Sequence, residues 1–220
     1  MTPQKNKPLV SHSFPQLVLT FDVRRVLSPT FLHQILQTKS FVCVILYDSQ
    51  GLKDDGVFLQ QQAKIYGEDI QRHDAALLVA ADNRIAERIK ADGFHIENDL
   101  NTLKYLDTQK KGQKIIGFGN LRNRHSAMIA GEANVDYLLF GKLGFDKKPH
   151  AHPRNIQLAQ WWAEVMEIPA IIQAGSDFAT FDEVVQTACE FIAVEEIIFA
   201  HDNPFLLLEM MKEKCESFFL

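Results

Sequence analysis

Residues 114–148 read KIIGFGNLRNRHSAMIAGEANVDYLLFGKLGFDKK, and this stretch decides the fold. Residues 114–118 are a short apolar run, too short for a helix and closed off by Gly117 and Gly119. Asn120 suits a helix cap, because its side-chain oxygen can accept an orphan backbone N–H. A helix is predicted over residues 121–133, and residues 135–140 (VDYLLF) form a second strand bearing β-branched and aromatic residues. Two strands joined through a helix make a parallel βαβ unit, since parallel neighbours need a long crossover. Chemistry in such units sits in the loops that follow the strands. Here those loops are Gly119-Asn120 and residues 141–148 (GKLGFDKK). The second combines flexible backbone with Lys142, Lys147, Lys148 and Asp146, a set suited to phosphate.

The same alternation extends in both directions. Upstream, strands are predicted over residues 16–21 (QLVLTF), 41–47 (FVCVILY), 75–80 (AALLVA) and 93–96 (GFHI). The second of these is apolar throughout, the mark of a strand buried on both faces. Helices fall between them: from Pro29 to about Lys39 with Ser28 as cap, from about Asp54 to Tyr66, around Ile85, Ala86 and Ile89, and over about residues 100–110. Downstream, Pro153 opens a helix carrying Ile156, Ala159, Trp161, Trp162 and Val165. Strands over residues 169–174 (PAIIQA) and 191–194 (FIAV) follow, with helices over about 180–189, 195–199 and 203–218. Eight strands at a mean spacing of about 25 residues give the rhythm of a single (β/α)8 TIM barrel. An open doubly wound sheet would usually show fewer strands. Residues 1–15 read as a polar N-terminal tail and 16–220 as the barrel.

Bulk properties narrow the class. The 220 residues are 46% hydrophobic, enough for one large core, and the net charge of -5 argues against a nucleic-acid or anionic-membrane binder. Cys43, Cys189 and Cys215 lack a CxxC spacing, and two of them sit in apolar runs, as expected of free thiols in a reducing cytoplasm. No apolar run approaches the ~18 residues of a membrane-spanning helix, and the N-terminus has no secretory h-region. The expectation is a cytoplasmic protein.

In a barrel, polar residues at the C-terminal ends of strands are the site candidates. They are Asp22, Arg24, Asp48, Asp82, Asn83, Glu97, Asp99, Gly119, Asn120, Lys142, Asp146, Lys147, Lys148, Gly175, Ser176 and Glu195. Acids beside lysines on one rim suit Mg²⁺ with phosphate, although Asp82 or Asp99 alone would serve as well as a helix cap. Gly175-Ser176 lies after the seventh strand, where barrels commonly hold a phosphate; an ordinary turn with Asp177 or Thr180 capping the next helix is the plainer alternative. His150 and His152, an isolated HxH, read as polar surface. His95 points into or along the barrel. Adjacent Trp161 and Trp162 face different ways, one into the core and the other to the surface or to a homodimer contact.

Several segments together resemble thiamine phosphate synthase and its relative, the thiazole tautomerase. Residues 91–96 (ADGFHI) are similar to the family's ADGVHLG, 116–119 (IGFG) to IGVS, 135–141 (VDYLLFG) to ADYV..G, and 168–172 (IPAII) to IPVVAIGG. Residues 191–194 (FIAV) stand where GVAVVSAI would be. Order and spacing agree from about residue 17 to 200. The resemblance implies a (β/α)8 barrel and a transferase of thiamine biosynthesis. That reaction couples a pyrimidine methyl pyrophosphate to a thiazole phosphate and releases pyrophosphate, with Mg²⁺ present.

The chain departs from the pattern in its charges. The QxRxK motif of the second strand becomes Val44-Ile45-Leu46-Tyr47-Asp48-Ser49, without Arg or Lys. Losing one stabiliser of a developing anion can lower a rate by roughly 10²–10³-fold. The acid of IND shifts to Asp82, and that after strand four to Asp99. The serine of IGVS becomes Gly119, the PTxTK loop becomes residues 145–149 (FDKKP), the phosphate GG becomes Ala174-Gly175, and the tautomerase histidine is replaced by Lys142. The resemblance therefore implies Lys142, Lys147 and Lys148 on the pyrophosphate, Lys142 and Lys148 as the catalytic pair, and Asp82 and Asp99 on Mg²⁺. Gly119, Asn120, Gly175 and Ser176 complete the phosphate-binding set. A thiazole tautomerase-like enzyme or a non-catalytic, ligand-binding relative are the alternatives.

Overall fold

The computed structural model describes residues 14–51, 56–81, 83–97, 100–104, 114–145 and 147–218. Eight parallel strands close into a barrel in sequence order, with β8 returning to pair with β1. They are β1 (Gln16–Asp22), β2 (Phe41–Tyr47), β3 (Ala76–Val79), β4 (Gly93–Glu97), β5 (Ile115–Gly119), β6 (Tyr137–Phe140), β7 (Ala170–Gln173) and β8 (Phe191–Val194). The helices described are α1 (Pro29–Gln37), α2 (Val57–Arg72), α3 (Asn83–Arg88), α4 (Leu100–Leu103), α5 (Arg124–Glu132), α6 (Pro153–Val165), α7 (Asp182–Val185), α8 (Glu196–Phe199) and α9 (Pro204–Ser217). No helix among the described residues is long and apolar enough to cross a membrane.

Strand alternation builds two apolar layers. Val18, Ile45, Leu78, Leu139, Ile171 and Ala193 point inward and fill the barrel. Leu17, Leu19, Phe21, Val44 and Leu46 point outward and pack under the helices with Leu32, Ile35, Ile70 and Trp162. Both faces of β1 and β2 are thus buried, as the unbroken apolar run of β2 requires. Trp162 is the core member of its pair, donating from Nε1 to the Ile168 carbonyl at 2.8 Å; Trp161 is half-buried beneath the Arg124 guanidinium.

The N-terminal end of the barrel repeats one device. Asp92, just before β4, accepts the Leu77 N–H of β3; Asp136, before β6, accepts Ile116 of β5; Glu190, before β8, accepts Ala170 of β7. Each carboxylate satisfies a backbone donor at the start of the preceding strand, so these three acids serve stability.

Local readings are corrected in three places. Asn120 does not cap α5: its φ is +59°, and the helix starts later, where Asn123 accepts the Ser126 N–H at 2.8 Å in a reciprocal capping box. α2 continues past Gly67 to Arg72, because Gly67 lies against Leu77 and Ile70 is fully buried. The helix expected over 180–189 is a 3-10 turn, Phe178–Thr180, capped by Asp177, followed by the short α7. Of the expected tail only residues 14 and 15 are described; the rest lies outside the described residues.

Candidate active site

The C-terminal mouth of the barrel divides into a side locked by ion pairs and a side that is open. On the locked side the Glu195 carboxylate, at the end of β8 and 1% exposed, gathers donors from β1 and β2. It accepts Tyr47 OH at 2.8 Å, the Thr20 hydroxyl at 3.2 Å and the Asp22 N–H at 3.0 Å, with Arg25 at 3.5 Å. Arg25 also reaches Glu196 at 2.7 Å; against the desolvation of partial burial, Arg25 and Lys147 hold the Glu196 carboxyl below its usual range, and Glu196 and Glu195 hold the Arg25 guanidinium above its own. Arg24 grips Asp48 through two bonds of 2.9 and 2.7 Å and lies over the Phe58 ring. Charges that looked like a catalytic rim at β1, β2 and β8 therefore neutralise one another.

The open side is organised by the loop after β6. Two side chains inside the barrel hold successive amides of that loop. Gln173 of β7 accepts the Lys142 N–H at 2.8 Å, and Glu97 of β4 accepts the Leu143 N–H at 2.9 Å. Leu143 is thereby buried over the barrel interior, and Gly144 passes beside Tyr47 with φ +76°. The Lys142 ammonium lies 3.8 Å from the centre of the Phe145 ring. This Lys142–Phe145 pair lines a cavity on either side.

The first cavity, about 530 Å³, lies over β2–β4 and is lined by Tyr47, Asp48, Ala80, His95, Glu97 and Phe145 among others. Burial raises the Glu97 carboxyl above its ordinary range, opposed by the Leu143 amide and Lys142. His95 is 1% exposed and desolvation pushes its pKa down to about 3, so the ring is neutral. Its Nδ1 lies 2.9 Å from Tyr137 OH, while Nε2 has no hydrogen-bond partner among the described residues. A Cβ at Gly119 would come within 2.6 Å of that nitrogen, so only glycine leaves it room.

The second cavity, about 560 Å³, lies over β5–β7. Asn120, Arg122, Lys142, Lys148, Arg154 and Gln173 line it, together with His150, His152 and the start of α6. Among the described residues no carboxylate lines it. The positive end of the 13-residue α6 adds to four full cations in a chain whose net charge is -5. Gln173 Nε2 is buried and has no hydrogen-bond partner among the described residues.

The expected ligands divide accordingly. Lys142, Lys148 and Asn120 line the second cavity. Lys147 instead pairs with Glu196 at 3.3 Å. Ser176 donates from its N–H to the Lys148 carbonyl at 2.8 Å and from its hydroxyl to the Lys147 carbonyl at 3.3 Å. Gly175 is pressed against Pro149 and His150, where a Cβ would stand 2.0 Å from the Pro149 oxygen. Both brace the loop that carries Lys148. Asp82, Asp99 and Asp146 lie outside the described residues. Arg122, Arg154 and Gln173 escaped the sequence reading. Arg122 stands two residues past Asn120, and Arg154 follows the proline that opens α6, so position relative to strand and helix ends was their available signal.

Fold and site define a (β/α)8 barrel with a cationic cavity beside a mixed one. The family model described as thiamine monophosphate synthase matches residues 28–198. The chain belongs to that family. It is 33% identical over 135 residues to the thiamine-phosphate synthase of Erythrobacter litoralis, and 29% identical over 129 residues to that of Rhodospirillum centenum. These matches cover 60% and 57% of this chain but only 63% and 61% of the relatives, short of two thirds of their length. Among solved structures, thiamine phosphate pyrophosphorylase from Pyrococcus furiosus superposes with a TM-score of 0.70 at 16% identity, covering 93% of this chain and 96% of that one. A 3-hexulose-6-phosphate synthase superposes with a TM-score of 0.61 at 15% identity, covering 90% and 99%. At these identities the structural likeness concerns the fold.

Proposed function

We propose that this protein is a transferase of the thiamine phosphate synthase type. It would join a pyrimidine methyl pyrophosphate to a thiazole phosphate and release pyrophosphate. The observation carrying this reading is the second cavity, where Arg122, Lys142, Lys148 and Arg154 converge without a carboxylate among the described residues. Such a set favours a phosphorylated group, and favours it more as its charge grows when the bond to pyrophosphate breaks. The new bond forms at the pyrimidine methylene as the old electron pair leaves with pyrophosphate. These four cations replace the basic residues missing from the end of β2.

The first cavity suits a flat heterocycle, with Ala80, Ile96 and Phe145 as apolar walls and Tyr47 and Glu97 as polar groups. Lys142, lining both cavities, stands between the two substrates and can follow the charge from one to the other. Lys147, Gly175 and Ser176 then act through the loop that presents Lys148. Mg²⁺ belongs to the proposal, with Asp82 and Asp99 as its carboxylates; the ion would screen phosphate oxygens. Phosphate binding and a cytoplasmic setting accompany this reading.

The test is thiamine phosphate formation by the purified protein given both substrates, with and without Mg²⁺. Lys142→Ala and Arg154→Ala should each lower kcat/KM by roughly 10²–10³-fold. Unchanged rates in both variants, or no turnover by folded wild-type protein, would refute the assignment.

A further inference from the structure

The outer face of the barrel carries a second set of ligating side chains, remote from the mouth. His33 lies on α1, Asp69 in the last turn of α2, and His73 caps that helix. Among the described residues, these form the one grouping of three His, Cys, Asp or Glu side chains close enough to share an ion. One ligand atom from each lies within 4.8 Å of the others. His33 Nδ1 is 2.9 Å from Asp69 Oδ1, and His73 Nδ1 is 3.5 Å from the same oxygen. The two imidazoles meet edge-on, with centroids 5.1 Å apart.

These distances can be compared with a coordination polyhedron. Zinc bonds of ~2.0–2.1 Å to nitrogen or oxygen give a tetrahedron with edges of about 3.3 Å. The two His–Asp separations bracket that edge. We propose that His33, Asp69 and His73 bind a divalent first-row transition cation, foremost Zn²⁺, with the fourth position left to water. Two imidazoles with one carboxylate disfavour Mg²⁺ and Ca²⁺, which take oxygen ligands. The partial exposure of all three side chains supplies an entry path.

Proton positions are consistent with loading. Without the ion, His33 Nδ1–H donates to Asp69 and His73 Nδ1–H to the Asp69 carbonyl at 2.8 Å. The Gln37 amide, one helical turn on, donates to His33 Nε2 at 2.9 Å, which assigns the His33 proton to Nδ1. On binding, each ring exchanges its Nδ1 proton for one on Nε2 through solvent. Gln37 then rotates its amide so that the carbonyl accepts the new Nε2–H, becoming an outer partner of the ligand. A bound ion would tie α1 to α2 across the outside of β2.

The test uses the full chain stripped with chelator, titrated with Zn²⁺ against a chromophoric competitor, and with Co²⁺ read by its visible absorption. One ion per chain with tetrahedral Co²⁺ bands is expected. His33→Gln and His73→Gln should each abolish that site, while Gln37→Leu should weaken it by about 10–100-fold. A His150→Ala/His152→Ala double variant should leave it intact. Far-UV circular dichroism in chelator checks that every variant is folded. Equal Zn²⁺ titrations for the wild type and the folded His33→Gln and His73→Gln variants, or no Co²⁺ bands, would leave an ordinary His–Asp pair between two helices and overturn the proposal.

Discussion

His95 should make the barrel sensitive to acid in a way that can be isolated. In the folded chain burial holds its pKa at about 3, against 6.5 for a free imidazole. Below pH 6.5 the unfolded chain takes up a proton that the folded chain refuses. The unfolded state then binds more protons, so stability rises with pH and is lost as pH falls from 6.5 toward 3. Each full unit of that window costs about 1.4 kcal/mol. Between pH 7.5 and pH 5.0, His95 alone should therefore remove about 2 kcal/mol. The assay is urea unfolding at both pH values for the wild type and for His95→Gln, which never titrates and keeps a polar group facing Tyr137. The variant should start less stable at pH 7.5, because its packing is poorer, yet lose about 2 kcal/mol less on acidification. Identical pH-dependent losses in the two proteins would mean that His95 is solvated or charged in the fold, and would refute the reasoning.

Other expectations follow from particular groups. Burial raises the Glu97 carboxyl, so the folded state holds its proton where the unfolded state has released it, and stability falls as pH rises through that window. Glu97→Gln keeps an acceptor for the Leu143 N–H; its stability relative to wild type should improve from pH 4 to pH 8, and thermal melts showing no such trend would contradict this. Ala188 has φ +58°, a conformation costing a non-glycine residue roughly 1–2 kcal/mol. Ala188→Gly should offset part of that cost and raise the denaturation midpoint, whereas a lowered midpoint would show that the strain is negligible.

Much of the architecture was legible because it is local. The unbroken run of β2, the alternation of strands with helical segments and the prolines opening α1 and α6 are properties of short windows. Where two local signals competed, only packing could arbitrate: Asn120 and Asn123 are both good caps, and Gly67 could have ended α2. The site was legible in part. Lys142, Lys148 and Asn120 stand at strand ends and reach the second cavity, as the position of barrel loops implies.

What the sequence by itself determined is the barrel, its family and the ends of strands at which chemistry can occur, because periodicity and loop position are written along the chain. Which charges remain available for a ligand was decided by the tertiary structure. Glu195 meets Tyr47 and Thr20 across separations of 148 and 175 residues, and Arg24 meets Asp48 across 24. Closure of β8 onto β1 brings Glu195 to Thr20 and Arg25, and the pairing of β1 with β2 brings Arg24 to Asp48, so these groups spend themselves on one another. The pairing of β5 with β6 brings Arg122, Lys142, Lys148 and Arg154 around one cavity from the connections that follow two successive strands. Electrostatic interaction depends on distance in space and on burial, and the order of residues along the chain specifies neither directly.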